Sequence, residues 1–172
     1  MTTTSSVGSL IAAGTDLTAE WFRTVMGTVP TSVAVVSGLD SSGRPVGLAV
    51  GTLTSVSLDP PLVAFCPGLD SSSWPKIRPS GRFCVNVLAR SQEHVSRLFA
   101  SKRENKFTDV DWTPSQDGLP MIEGTVARIE CVLQDEHDGG DHTIVVGRVV
   151  RMTGEPAARP LVFLGGKYGE VG

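Results

Sequence analysis

Two histidines and two aspartates fall within six residues, His137-Asp138-Gly139-Gly140-Asp141-His142. Imidazole and carboxylate groups bind metals and carry protons, so the stretch reads as a metal site, an anion-cradling loop or the tip of a β-hairpin. A metal needs ligands that converge on one point. His137 and His142 leave the glycine pair on opposite strands, so two or three of the four could meet. No HExxH-type helix accompanies them, and a two-residue Gly139-Gly140 turn explains the spacing without a metal. On that reading no metal is expected. His142 then stands at the hairpin end, where its ring can hydrogen-bond to a ligand or exchange protons near neutral pH.

Two more stretches carry usable chemistry. Gly47 to Leu62, "GLAVGTLTSVSLDPPL", is built from small residues and hydroxyls. Small side chains let a flat ligand lie against the backbone and its N–H groups; a plain interior strand with serines turned to solvent has the same composition. Ser71, Ser72 and Ser73 precede Trp74. Hydroxyls and free backbone N–H groups at a turn make an oxyanion cradle, to which Lys76, Lys102 or Lys106 could add charge. A solvated loop is equally rich in serine.

The elements that must position these residues are mostly strands. One short helix is expected from about Asp16, with Leu17, Trp21, Phe22, Val25 and Met26 on one face, Asp16 as cap and Gly27 at its end. Beyond Pro30 the pattern is β: "TSVAVVSG", the turn "LDSSGRP", "VGLAVGTLTSVSL" as one long or two short strands, "PPLVAFCP" and "GRFCVNVLA". A second helix is predicted at "SQEHVSRLFA", capped by Ser91, with Val95, Leu98 and Phe99 sharing a face. The polar run from Ser101 to Pro120 reads as a long connection anchored by Phe107 and Trp112. "GTVARIECVLQDE" and "HTIVVGRVVRM" form a hairpin, and "RPLVFLGG" a last strand. Many strands, two helices and no βαβ alternation indicate an antiparallel sheet closed into a barrel, because closure removes exposed edges.

A chain of 172 residues, 40% hydrophobic and 19% charged, fits one globular domain, residues 16–172, behind a disordered tail, residues 1–15. The formal charge of −3 and scattered lysines and arginines exclude general attraction to nucleic acid or anionic membrane. No stretch approaches the roughly 20 apolar residues that span a bilayer. Cys66, Cys84 and Cys131 form no CxxC pair and read as small buried hydrophobes in a reducing compartment, so a cytoplasmic protein is expected.

In order along the chain, "PTSVAVVSG", "GLAVGTLTSVSLDPPLV", "SSSWPKI", "SGRFCVNVLA", "FASKRENKF", "GDHTIVVGRV" and "PLVFLGGKYG" resemble the short-chain flavin reductases, the reductase components of two-component flavin-dependent monooxygenases. The resemblance runs from about Trp21 to Tyr168 and departs from the family at Ser32, where glycine is usual. It implies a flavin-binding, antiparallel split β-barrel with a few short helices. It further implies a homodimer with flavin near the subunit interface, and reduction of FMN or FAD by NADH or NADPH for a separate oxygenase. Carried over by position, the isoalloxazine ring would lie against Val50, Gly51, Thr52 and Leu53, with Thr54 and Ser55 at its edge. The ribityl phosphate would meet Ser71, Ser72, Ser73 and Trp74, helped by Lys106 and Phe107 of the "ENKF" block. His142 would face the nicotinamide side as the catalytic residue, with Tyr168 near the same pocket. The rival readings are a non-catalytic flavin-binding protein on the same barrel and a metal-dependent hydrolase built on HDGGDH.

Overall fold

A computed structural model describes residues 17–170. The expected tail, residues 1–15, and Asp16 lie outside the described residues. The first helix, α1 (Ala19–Met26), is capped instead by Thr18, whose hydroxyl accepts the Trp21 N–H at 3.1 Å. Gly27 closes it by donating to the Arg23 carbonyl. None of its residues is buried.

Seven strands make one antiparallel sheet in the order β3-β2-β6-β9-β10-β5-β4. They are β2 (Ala34–Leu39), β3 (Pro45–Val50), β4 (Thr54–Leu58), β5 (Pro61–Phe65), β6 (Arg82–Val87), β9 (Ala127–Gly139) and β10 (His142–Gly154). The stretch expected as one long or two short strands is thus two, broken at residues 51–53. β3 and β4 stand at opposite ends of the order, and no ladder joins them among the described residues. Both ends nevertheless feed one apolar cluster: Leu48 and Val50 from β3 and Val63 and Phe65 from β5 meet Phe83, Val85, Cys131 and Val145. The sheet therefore curls around a common interior.

Successive side chains on a strand point to opposite faces, and β2 uses both. Ala34 and Val36 enter that interior, while Val35, with Val33 just ahead of the strand, packs in a second cluster with Val95 and Phe99. Those last two belong to α3 (Glu93–Ala100), which thereby lies over β2 and β3. Ser91 does not cap it. A 3-10 turn, Arg90–Gln92, leads in, and Gln92 spans the junction, accepting from the Ala89 N–H and donating to the Glu123 carbonyl.

Three further expectations are corrected. "TSVAVVSG" splits at Val33: Thr31–Ser32 forms β1 and pairs with β11 (Leu161–Leu164), because the Val33 N–H donates to the Leu161 carbonyl rather than to the large sheet. A strand absent from the sequence reading, β12 (Lys167–Glu170), completes this three-stranded sheet across a Gly165-Gly166 turn. The 101–120 segment is not a plain connection. It holds a 3-10 turn (Lys106–Asp109) and the pair β7 (Trp112–Pro114) and β8 (Pro120–Ile122). Phe107 does anchor it, edge-on to Phe99 at 5.0 Å and to Trp112 at 5.7 Å. The fully buried Asn86 accepts the Ile122 N–H at 2.8 Å and donates to the Val35 carbonyl and Ser37 hydroxyl. That amide, together with the Ser37 hydroxyl, which donates to the Pro120 carbonyl at 2.6 Å, ties β8 to the large sheet.

Candidate functional site

The break between β3 and β4 borders a cavity of about 350 Å³. Thr52 holds the break in place, its hydroxyl accepting the Cys66 N–H at 2.8 Å just beyond β5. Opposite run residues 66–68 and 70–73, with Ala100 at the end of α3, Lys106 and His142 closing the circuit. Of the residues singled out from the sequence, the cavity gathers Val50, Gly51, Thr52, Ser71, Ser72, Ser73, Lys106 and His142. The structure places the others elsewhere. Leu53 packs on the main core, and Thr54 and Ser55 are exposed on β4. The Trp74 ring lies among Phe65 and Phe83, edge-on at 5.2 and 5.7 Å, with its Nε1 donating to Glu136 at 2.9 Å. Phe107 lines the neighbouring cleft. Tyr168 lines a separate cavity of about 250 Å³ that shares Ala49, Val50, Gly51 and Ala100 with the first.

The serine run differs from the expected cradle of free N–H groups. The Ser71 hydroxyl already accepts from the N–H of Ser73 at 3.4 Å and of Trp74 at 3.2 Å, and the Ser71 N–H donates to the Gly68 carbonyl. The helix that follows, α2 (Trp74–Ile77), is a single turn. The polar groups offered to a ligand are therefore the serine hydroxyls and a cation. Of the three lysines named from the sequence, only Lys106 lines this cavity. Its Nζ donates to the Phe99 carbonyl at 2.8 Å, and burial lowers its pKa below the ordinary 10.5. Asp70 adds a carboxylate to the same wall.

At the HDGGDH tip the turn residues are Gly140 and Asp141, one position later than expected, since Gly139 pairs with His142. Gly140 adopts φ +78°, as the first position of a glycine-led hairpin turn requires. β10 continues past the tip to touch the 66–73 segment: His142 bridges Gly68, and the Thr143 N–H donates to the Pro67 carbonyl at 3.0 Å. His142 Nδ1 lies 2.7 Å from Asp141 Oδ1. A carboxylate there favours the proton on Nδ1 and leaves Nε2 to face a ligand. The hydrogen bond and charge of His142, with a contribution from Arg23 of α1, hold the Asp141 carboxyl below its ordinary range. His137 instead approaches Asp135, at 3.6 Å. Among the described residues no group of three or more His, Cys, Asp or Glu is placed to hold a metal ion.

Cys66, Pro67, Gly68, Asp70, Ala100 and Ser101 also line the cavity and were not among the site residues expected from the sequence. No local motif marks them; they arrive because β5 and α3 end there. Cys84 and Cys131 are buried, and desolvation pushes both thiols up to about 12. Cys66, read as a buried hydrophobe, is only half-buried at the cavity wall.

A curled antiparallel sheet carries a polar-walled cavity with one half-buried lysine and one imidazole beside a carboxylate, groups whose chemistry suits an anionic small molecule. The family model for the flavin reductase like domain matches residues 26–172. A flavin reductase of Pseudomonas putida is 49% identical over 150 residues, which cover 87% of this chain and 88% of that one. The reductase subunit HsaB of a flavin-dependent monooxygenase of Mycobacterium tuberculosis is 46% identical, covering 86% of this chain and 79% of that one. The NADH:FAD oxidoreductase SgcE6 of Streptomyces globisporus C-1027, solved with NAD and FAD fragments, superposes with a TM-score of 0.81. It is 38% identical, with 88% and 91% of the two chains covered. The chain belongs to the flavin reductase-like family.

Proposed function

We propose that this chain is a nicotinamide-dependent flavin reductase whose flavin occupies the cavity between the β3–β4 break and residues 66–73. One observation carries the placement: Val50, Gly51, Thr52, the three serines, Lys106 and His142, distant in sequence, line one cavity. The flavin supplies the ring that accepts a hydride from NADH or NADPH, so no protein nucleophile is required. The chain's residues do the holding. The 50–52 backbone lies along the ring, the serine hydroxyls and Lys106 receive the phosphate of FMN or FAD, and His142, oriented by Asp141, faces the incoming nicotinamide.

The wider reading follows the same line. The curl of the seven-stranded sheet around one core supports a split barrel within a single domain that begins near the start of α1. The apolar face of α1, with Phe22 55% exposed beside Trp21, Val25 and Met26, supports a homodimer. The similarity to HsaB supports a separate flavin-dependent oxygenase as the consumer of reduced flavin. Three free cysteines fit a reducing, cytoplasmic setting. Among the described residues no helix is long and apolar enough to cross a membrane.

The test is NADH or NADPH oxidation by purified protein with FMN, with FAD and with no flavin. Turnover that requires added flavin is expected. Flavin binding without nicotinamide oxidation would make the chain a carrier, and flavin-independent oxidation would place the chemistry elsewhere.

A further inference from the structure

The serine segment and the short helix after it form one hydrogen-bonded unit. The Ser73 carbonyl accepts the Lys76 and Ile77 N–H groups, and the Arg78 N–H donates to the Trp74 carbonyl. The Ser71 hydroxyl, on the N–H groups of Ser73 and Trp74, links the segment to α2. Ser73 is 8% exposed, lines the flavin cavity, and makes no capping hydrogen bond to α2 through its hydroxyl. Where that hydroxyl stands is therefore set by whatever holds α2.

One side chain from outside the unit grips both of its ends. Glu136 of β9 accepts the Trp74 Nε1–H through Oε1, at 2.9 Å, and the Arg78 Nε–H through Oε2. Trp74 opens α2 and Arg78 closes it. The Glu136 side chain is only 16% exposed, against 61% for Arg78. An ion pair with one partner open to water adds little net stability, and the Trp74 ring is already packed against Phe65 and Phe83. What a carboxylate with both oxygens engaged adds is direction: it fixes where α2 lies along β9 and how the indole is turned. Glu136 itself is held opposite Val145 in the β9–β10 ladder. It borders a different cavity, of about 470 Å³, and not the one lined by the serines and Lys106. Its effect on a flavin must pass through α2.

We propose that Glu136 is a positioning residue for phosphate capture: by clasping both ends of α2 it sets the serine hydroxyls towards the phosphate of FMN or FAD. The inference rests on the flavin placement above. The hairpin end that carries His142 is held separately, by the Leu69 N–H on the Asp141 carbonyl and the Thr143 N–H on the Pro67 carbonyl. Loss of the clasp is therefore felt in phosphate binding and not on the nicotinamide side.

The experiment measures Kd for riboflavin and FMN by quenching of flavin fluorescence, and KM for NADH or NADPH at saturating flavin, on the wild type, Glu136→Leu, Glu136→Gln and Trp74→Phe. The wild type is expected to bind FMN more tightly than riboflavin, which has no phosphate. Glu136→Leu, which leaves the indole N–H without its acceptor, should weaken FMN roughly tenfold and riboflavin less than about twofold, with KM unchanged. Glu136→Gln keeps an oxygen for that N–H and should hold FMN within about threefold of the wild type. Trp74→Phe keeps a ring against Phe65 and Phe83 while removing the donor, and should reproduce the phosphate-selective loss even where Glu136→Leu yields little folded protein. Equal losses for FMN and riboflavin in either folded variant, or no loss, would overturn the positioning role while leaving the flavin site standing. A Glu136→Gln variant as weak as Glu136→Leu would tie the effect to charge and not to the hydrogen bond, and an effect confined to KM would move it to the nicotinamide side; each equally overturns it. A wild type that does not distinguish FMN from riboflavin would overturn both this role and the phosphate placement beneath it.

Discussion

His142 and Asp141 sit 2.7 Å apart at an exposed hairpin end, and neither is needed to fill the core. Removing the ring should therefore act on the reaction and not on folding. His142→Ala is expected to raise KM for NADH or lower kcat about tenfold, the loss of one oriented hydrogen bond, with flavin Kd and Tm nearly unchanged. A collapse of flavin affinity would make His142 a flavin contact instead. The cysteines provide a second reading of the cavity. Thiolates react and thiols do not, and burial pushes Cys84 and Cys131 up to about 12. Alkylation of the native protein at mildly alkaline pH should modify Cys66 first, and bound flavin should slow that reaction, followed by mass spectrometry. Labelling of Cys66 at the same rate with and without saturating flavin would mean that the ligand does not cover this wall.

Between elements, the contact that matters most to the site is α3 on β3. A Cβ added at Gly47 would lie 2.7 Å from Cε1 of the buried Phe99, so the smallness of this residue serves helix packing. The carbonyl of the same Phe99 receives the Lys106 ammonium. Gly47→Ala is expected to cost about 1–3 kcal/mol as an overpacked contact, read as a lowered Tm. By displacing α3 it should also weaken FMN and FAD more than riboflavin, which has no phosphate for Lys106 to meet. A normal phosphate preference in a destabilised variant would uncouple Lys106 from the helix position.

For the whole molecule, the exposed Trp21, Phe22, Val25 and Met26 on α1 form an apolar face that nothing else in the chain covers among the described residues. Sedimentation equilibrium should give twice the 18.2 kDa chain mass. Phe22→Glu should reduce it to that of one chain, because a charge cannot be desolvated at such a contact without a partner. Loss of turnover on dissociation would place the interface beside the flavin. A wild-type protein that sediments as a single chain would leave the α1 face unexplained.

The amino-acid sequence by itself determined the β-rich class, the long hairpin, the helix over residues 93–100 and the residue types of the site, because alternation, helical spacing and turn residues are local signals. It also carried the family resemblance, which rests on ordered blocks and not on any contact. Only the tertiary structure decided register and neighbours. Gly139-Gly140 and Gly140-Asp141 are both acceptable turns locally, yet a shift of one residue carries every side chain to the other face, and the extended pairing of β9 with β10 selects the second. The family resemblance put Trp74 with the serine cradle, whereas its large indole is buried beside Phe65 and Phe83. Cys66 and Lys106 share a wall although forty residues separate them. No local rule could place them together, since that cavity forms only once the chain after β5 and the end of α3 border it and Lys106 folds back to the Phe99 carbonyl.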